Sequence, residues 1–580
     1  MNYTPEQLSI IHSSGNIKIN AVAGSGKTST LIGYAHERRN NGKVLYIAFN
    51  KSVKLEAEKK FAELALDHVK VETAHSLAYS YIVRGSHYQL KQNGGYKTHE
   101  IVEILGLKKQ KQSHAEFIIA NHINRYISLF CNSDKPKVQD LNYLEILSDE
   151  KSKHFVRNFG EEILRQTRFF LDKMNKGEIG VTHDFYLKKF QQLSPVLPYD
   201  FILFDEAQDA SDAMLDVVMK QPAVKVIVGD THQQIYGWRF AVNSIEKVDF
   251  PVYHLTRSFR FDHEIASLAG RILQWKSHLG LQPEIQIYGS DPSGEIKSRA
   301  TLARTNVGLL SKSIELLIEK GSVRKVYFEG RIESYTYADE GASVYDVLNL
   351  YLGQDQMIRD KLIASMKGFG DLEEYIEKTE DAPLRLIVDI VKKYHRNLPN
   401  YIRQIKEAHV ENHEKEKAGM IFSTVHRCKG LEYDEVTLAD DFISEDKVIK
   451  WMNEGKGNSV NIHKLAEEIN LLYVAVTRTR NVLNIPEGLL PRSRINVIAA
   501  AKKTTGFEIA EEEYFRNKKP PKPVQEKNKS GQPWTGEDDD LLTVMYCEGK
   551  PLNAMARKLG RGYGAIQSRI KKLELPELYD

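Results

Sequence analysis

The stretch AVAGSGKTS at 21–29 is a glycine-spaced turn ending in lysine, threonine and serine. Between a buried strand and a helix, such a turn aims successive backbone N–H groups at one point, and the helix start adds its positive end. Lys27 then has the reach to meet terminal phosphates, and the Thr28 hydroxyl is a hard oxygen donor for Mg²⁺. Ala21 stands where the usual pattern has its first glycine. The same glycines would also serve a plain tight turn before a helix. A second candidate is FILFDEAQD at 201–209, an apolar strand running into adjacent acids. Asp205 at the strand end can hold Mg²⁺, and Glu206 can polarise an attacking water. Asp205 or Asp209 would otherwise cap the following helix. The third is VGDTHQQIYGWRF at 228–240, where a strand leads into amides and then Tyr236 and Trp238. Aromatic faces at a loop suit nucleobases of any sequence. Trp238 would equally suit a core position between domains.

These groups need strands to hold them. NIKINA (16–21), KVLYIAF (43–49), FILFD (201–205) and KVIVGD (225–230) read as buried strands; ATLART (300–305), GMIFST (419–424) and EVTLA (435–439) form a second set. Their Val/Ile-rich, non-alternating character suits parallel sheets covered by helices, so an α/β fold with two sheets is expected. Strand 225–229 should lie beside 201–205, with ligands at the carboxyl ends of both. Residues 77–190 and 325–410 read as helical insertions, the latter free of strong strands. Hydrophobic residues at 41% and charged residues at 27% fit an ordinary globular composition. A net charge of +3 argues against a wholly basic nucleic-acid coat but leaves room for a local basic groove. Cys131, Cys428 and Cys547 form no CxxC pair and read as reduced thiols. No signal peptide or membrane span is evident, so a cytoplasmic, nucleoid-associated protein is expected.

The ordered blocks between about residues 4 and 485 make the chain resemble a superfamily 1A helicase of the UvrD/Rep kind, and within it the F-box DNA helicase branch. TPEQ (4–7) resembles the Q motif, AGSGKT motif I, AFNKSVKLEA (48–57) motif Ia and VETAHSLAY (71–79) motif Ib. DEAQD resembles motif II, the 228–240 stretch motif III and LTRSFR (255–260) motif IV. FSTVHRCKGLEYDEV (422–436) resembles motif V, and NLLYVAVTRTR (470–480) motif VI, with Thr479 where the family has alanine. The chain starts almost at the Q motif, with no F-box before it, so a ubiquitin-ligase role is not expected.

The resemblance implies two RecA-like P-loop motor domains with ATP and Mg²⁺ between them. Motor domain 1A would take 1–76 and 191–262, helical subdomain 1B 77–190, motor domain 2A 263–324 and 413–504, and a reduced 2B 325–412. The phosphates would lie on Ala21, Val22, Ala23, Gly24, Ser25, Gly26, Lys27 and Thr28, with Mg²⁺ on Thr28 and Asp205. Gln7 would read adenine, Phe259 would stack on it, and Glu432 would accept from the ribose. Glu206 would activate water, Gln233 would sense the γ-phosphate, and Arg260 and Arg478 would be arginine fingers. Phe49, Asn50, Lys51, Thr73, His75, Tyr236, Trp238, Thr424 and His426 would contact DNA, although His75 and His426 would as readily serve structure.

Residues 505–532 form a Pro/Lys-rich basic linker, and 533–580 read as a three-helix module resembling Myb/SANT-like or helix-turn-helix domains. Thr535 would cap its first helix, Pro551 would open the second, and GRG at 560–562 would turn into the third. From Arg557 to Leu573 there are basic residues and no acid, with Arg561 and Arg569 expected on DNA. Docking of a partner protein is the other use. The expected activity is that of a monomeric ATP-dependent helicase moving 3′ to 5′ on single-stranded and junction DNA in repair, recombination or replication. A translocase that strips proteins from DNA, or an ATP switch in a genome-defence complex, would use the same blocks.

Overall fold

The computed structural model describes residues 3–492 except 92–94, 109–112, 238–239, 284–285, 291–293, 331, 333–334, 336–342 and 455–461; beyond these it describes 534–535, 538–539, 542 and 552–572. Trp238 and the linker 505–532 thus lie outside the described residues. The chain divides into two compact units, Met1–Ala501 and Lys502–Asp580.

Six short strands build the first sheet: β1 (Ile17–Ala21), β2 (Val44–Ala48), β3 (Val69–Thr73), β4 (Phe201–Phe204), β5 (Val224–Gly229) and β6 (Val252–Leu255). Their order is β3-β2-β4-β5-β1-β6, every pairing parallel. β2 is buried along its whole length, as a strand covered on both faces must be. β4 lies beside β5 in register Phe204 to Ile227, as expected, so both end at one edge of the sheet. The second sheet holds β7 (Arg299–Ala303), β8 (Val326–Phe328), β9 (Met420–Thr424), β10 (Tyr433–Leu438) and β11 (Thr479–Asn484), in the order β11-β10-β7-β9-β8 and again all parallel.

The expected second insertion therefore begins too early. β8 pairs with β9, so Val326, Tyr327 and Phe328 belong to the second sheet and not to a helical 325–412 segment. Three apolar residues between Lys325 and Glu329 are too short a run to read as a strand without their partner. β3, β6 and β11 escaped for a related reason: each is an edge strand whose outer residues stay partly exposed, so polar or charged residues interrupt its apolar pattern.

The first insertion is built on helices Ala115–Asn132 and Glu150–Asn175. The longer one buries Phe155, Val156, Ile163, Thr167, Phe170 and Met174, one stripe at helical spacing. Asp149 caps it by accepting from Lys151 and Ser152 N–H. The second insertion lays helix Phe369–Thr379 against both. Glu380 (φ 53°) fastens the pair: its carboxylate accepts from Ser148 N and Asp149 N, each at 2.6 Å, and from Arg125 Nη1 at 2.9 Å. His114 Nε2 meets Asp371 at 2.7 Å, and His122 Nε2 lies 3.0 Å from the Lys378 carbonyl.

The second unit has its own small core of Leu542, Met555, Leu559, Ile566 and Ile570 with Trp534 against it. Helices Leu552–Leu559 and Tyr563–Lys572 follow the expected division, with Gly560 at φ 61° between them. Thr535 Oγ1 accepts from Asp538 N at 3.2 Å, the cap expected there.

Burial raises the Glu380 carboxyl, but the Asp149 N–H and Arg125 outweigh it and hold the group below its ordinary value. A depressed carboxylate stabilises above the unfolded value, about 4.3, and that contribution disappears as pH falls through the folded value. Glu380→Ala should loosen the first insertion by about 2 kcal/mol at neutral pH, since hydrogen bonds to a charged group contribute about 1.5–3 kcal/mol each. Amide exchange along Glu150–Asn175 reads this, and the difference from wild type should shrink below about pH 4.

Candidate functional site

β1 runs between β5 and β6, and the 21–28 loop leaves its carboxyl end. Gly24 and Gly26 take φ 73° and 79°, which other residues adopt only at a cost. A Cβ on Gly24 would lie 2.6 Å from Arg260 Cβ and 2.7 Å from Ser258 Oγ, so the loop is closed against the segment after β6. Helix Lys27–Glu37 starts on Gly26 with no side-chain cap. Its first-turn N–H groups are left for a ligand. Ser25 Oγ is buried and has no hydrogen-bond partner among the described residues. Uncapped donors, an orphaned hydroxyl and Lys27 form a donor set that fits a polyphosphate.

Opposite Lys27 stand the two carboxylates. Lys27 Nζ lies 3.3 Å from Glu206 Oε1. Burial alone would lower the Lys27 ammonium; Glu206, Asp230 and Asp205 together hold it above its usual range. Asp205 is pushed up by burial and then by the Glu206 charge. Burial pushes Glu206 the same way, but Lys27 and Lys429 win and keep it low, hence anionic at neutral pH. Glu206 sits at φ 51°, a left-handed conformation that strains a non-glycine residue and turns the side chain out of the strand line. Gln208 Nε2 donates to Glu206 Oε2 at 2.5 Å, while Gln208 Oε1 accepts from Asp230 N at 3.1 Å. Asp205 accepts from Glu206 N and from the Tyr46 hydroxyl, and Thr28 neighbours the same hydroxyl. Thr28 and Asp205 thus flank one phenol, a pair of hard oxygens that fits Mg²⁺ shared with phosphate oxygens.

The second sheet supplies the other wall. Arg478, 1% exposed, reaches from the turn just before β11 toward Gln233, its Nη2 lying 3.5 Å from Gln233 Oε1. Burial and then the nearby Arg260 push its guanidinium down to about 10. Gln233 Nε2 and Tyr473 OH both donate to Asp230 Oδ2, at 2.8 and 2.9 Å. Ala23 N donates to the same phenol at 3.4 Å. Arg260 is held by Glu432 Oε2 at 2.7 Å and the Thr477 carbonyl at 2.9 Å. The Glu432 carboxylate, expected on a ribose, is shared between Arg260 and Arg480. Phe259 is 49% exposed beside Gly26, with the Arg257 guanidinium over its ring at 5.9 Å. Gln7 Oε1 accepts from Thr4 N at 2.9 Å in a capping box, and its Nε2 abuts Gly26.

The residues expected on DNA divide. Phe49 and Tyr236 stack at 5.6 Å, and Tyr236 OH donates to the His426 carbonyl at 2.7 Å, joining both walls. Lys51 and Asn50 are exposed, although Asn50 Oδ1 caps the next helix by accepting from Val53 N. Thr73 Oγ1 is used as a cap for Ser76 N, and Thr424 is buried. His75 packs against His183 and Tyr186 near Asp184. Burial and then Arg304 push the His426 imidazole down to about 4, so it is neutral and no phosphate cation. In the second unit the expected DNA arginines are committed elsewhere. Arg561 is buried over Trp534 and paired with Asp538 at 2.8 Å; Arg569 pairs with Asp539. Acids of the first helix draw them inward, which the run of basic residues alone did not reveal.

Lys429, Gln208, Asp230, Tyr46 and Tyr473 were not anticipated. The signal for Lys429, Gln208 and Tyr473 was their place inside recognised blocks; Tyr46 looked like one more strand residue.

Residues 3–248 match the family described as the UvrD/REP helicase N-terminal domain, and residues 361–486 the UvrD-like helicase C-terminal domain. Among curated proteins the chain is similar to F-box DNA helicase 1 of Gallus gallus, 29% identical over 498 residues, covering 82% of this chain and 47% of that protein. It is similar to F-box DNA helicase protein 1 of Schizosaccharomyces pombe, 28% identical over 523 residues, covering 83% and 57%. To the S. pombe ATP-dependent DNA helicase srs2 it is 29% identical over 290 residues, covering 44% and 33%. The chain spans about half the length of the first two relatives.

Gly24→Ala should abolish nucleotide binding through its clash with Arg260, read by titration of a fluorescent ATP analogue. Glu206→Gln should bind the analogue yet lose turnover by about 10²-fold or more, the usual weight of a general base.

Proposed function

The chain belongs to the UvrD/Rep helicase family, and on that premise we propose that it is a DNA-dependent ATPase that translocates along single-stranded DNA and opens duplex. The observation that carries this reading is the convergence of Lys27, Glu206, Gln233, Arg260 and Arg478 on one cleft between two parallel sheets. The anionic Glu206 takes a proton from water as its oxygen bonds to the γ-phosphorus, and the bridging oxygen leaves with ADP. Gln233, tethered to Asp230, orients that water. Lys27 and the two guanidiniums meet the charge that grows on the equatorial oxygens. A Mg²⁺ ion on Thr28 and Asp205 would draw charge from the β- and γ-oxygens.

The stacked Phe49 and Tyr236 support the nucleic-acid half of the reading. A base added to such a ring stack contributes about 1–3 kcal/mol and needs no particular sequence. Tyr236 follows Gln233 by one short turn, so the amide at the phosphate and the ring at the base share one loop. The proposed direction of travel, 3′ to 5′, and a place in repair or recombination draw their support from family likeness alone. A second reading, a translocase that displaces bound proteins with little unwinding, draws on the short helices of the second insertion, of which Ala382–Tyr394 is the longest among the described residues. A strand-displacement assay beside a protein-roadblock assay separates the two.

ATP turnover should rise at least about tenfold with oligo-dT, a factor typical of coupling between sites. Turnover indifferent to DNA would sink the motor reading in favour of a switch.

A further inference from the structure

Lys429 stands on the second wall, directly after the short helix Val425–Cys428, and reaches across the cleft. Its ammonium pairs with the Asp209 carboxylate, 220 residues away in sequence. It also donates to the Gln233 carbonyl at 2.6 Å and lies over the Tyr236 ring at 5.3 Å. The pair is out of water: the side chains of Lys429 and Asp209 are 7% and 0% exposed. Asp209 closes the turn after β4, its N–H donating to the Glu206 carbonyl at 3.0 Å. Lys429 therefore touches the turn that carries the hydrolytic carboxylate, the backbone of the water-orienting glutamine, and the ring expected under a base. The same segment holds Tyr236 a second time, through the His426 carbonyl.

A buried ion pair seldom adds net stability, because desolvation offsets the attraction, and its best-attested use is to fix register or to switch. The pair here joins two walls that belong to different sheets. Movement of one wall against the other must break or remake it. We propose that Lys429 is the positioning residue that couples nucleotide state to the grip of Tyr236 on DNA. The inference rests on the motor reading above. With the walls closed, the ammonium fixes the Glu206 turn and the Tyr236 ring together. When the walls part it leaves both, and the ring is released from the second wall.

The test is an equilibrium one on the full chain. Affinity for oligo-dT is measured without nucleotide and with a non-hydrolysable ATP analogue; their ratio is the coupling factor. Wild type should give a ratio well away from one, within the roughly 5- to 150-fold range usual for coupled sites. Lys429→Met, which keeps the stem and removes the charge, should bring the ratio close to one. Asp209→Asn removes the opposite charge at constant size and should lower the ratio as well, so the idea stays testable if the lysine variant fails to fold. If Lys429→Met or Asp209→Asn weakens both affinities equally and leaves the ratio intact, Lys429 is only a structural pin and the proposal is overturned. A wild-type ratio of one would remove the motor reading and this inference with it, and would be seen before any variant is made.

Discussion

Two adjacent carboxylates end β4, Asp205 buried and Glu206 partly so, and neighbouring groups are organised to make that tolerable. Charges of one sign side by side in a dry site repel, and each loses its hydration. Lys27 answers Glu206 from the phosphate loop, Tyr46 donates to Asp205 from the adjacent strand, and Gln208 braces Glu206 from within the same turn. The left-handed backbone at Glu206 separates the two side chains by sending them to different neighbours. Removing any one compensating group leaves a charge that the others were not placed to balance. Stability and chemistry therefore draw on the same few atoms: the field that keeps Glu206 anionic is the field a polyphosphate would enter.

A second cluster sits where the two walls meet. Arg260 and Arg478 are close enough for their charges to repel, which burial intensifies. Glu432 relieves Arg260 together with Arg480, while Arg478 is held by the carbonyls of Leu431 and Val474. Helix Ile462–Val476 links the walls, since Tyr473 reaches both Asp230 and the phosphate loop, and Asn470 donates to the Gln234 carbonyl at 2.9 Å. The cleft is thus wired across by hydrogen bonds as well as ion pairs.

Much of this could be read from the linear chain, because phosphate chemistry fixes residue types at short spacing. The turn at 21–28, the acids after β4 and the amide-rich tail after β5 each announce themselves within ten residues. The pairing of β4 with β5 also followed, since buried parallel strands have a recognisable apolar pattern. What escaped depends on distance. Lys429 meets Asp209, and Tyr473 meets Asp230, through folding alone; no local spacing encodes either contact. β8 is a strand only because β9 lies beside it. The arginines of the second unit looked available because the acids that claim them precede them by 23 and 30 residues.

The order of strands in the first sheet has a consequence for how the chain is made. β1 emerges early, yet both of its neighbours, β5 and β6, are encoded more than 200 residues later. At about 5–20 residues per second, a ribosome takes roughly ten to forty seconds to deliver them. Through that interval the nascent segment Ile17–Ala21 offers two unpaired edges and an apolar face, the sort of surface that chaperones shield. The completed motor unit is hence a late product of translation, and its sequence must stay soluble while half-built.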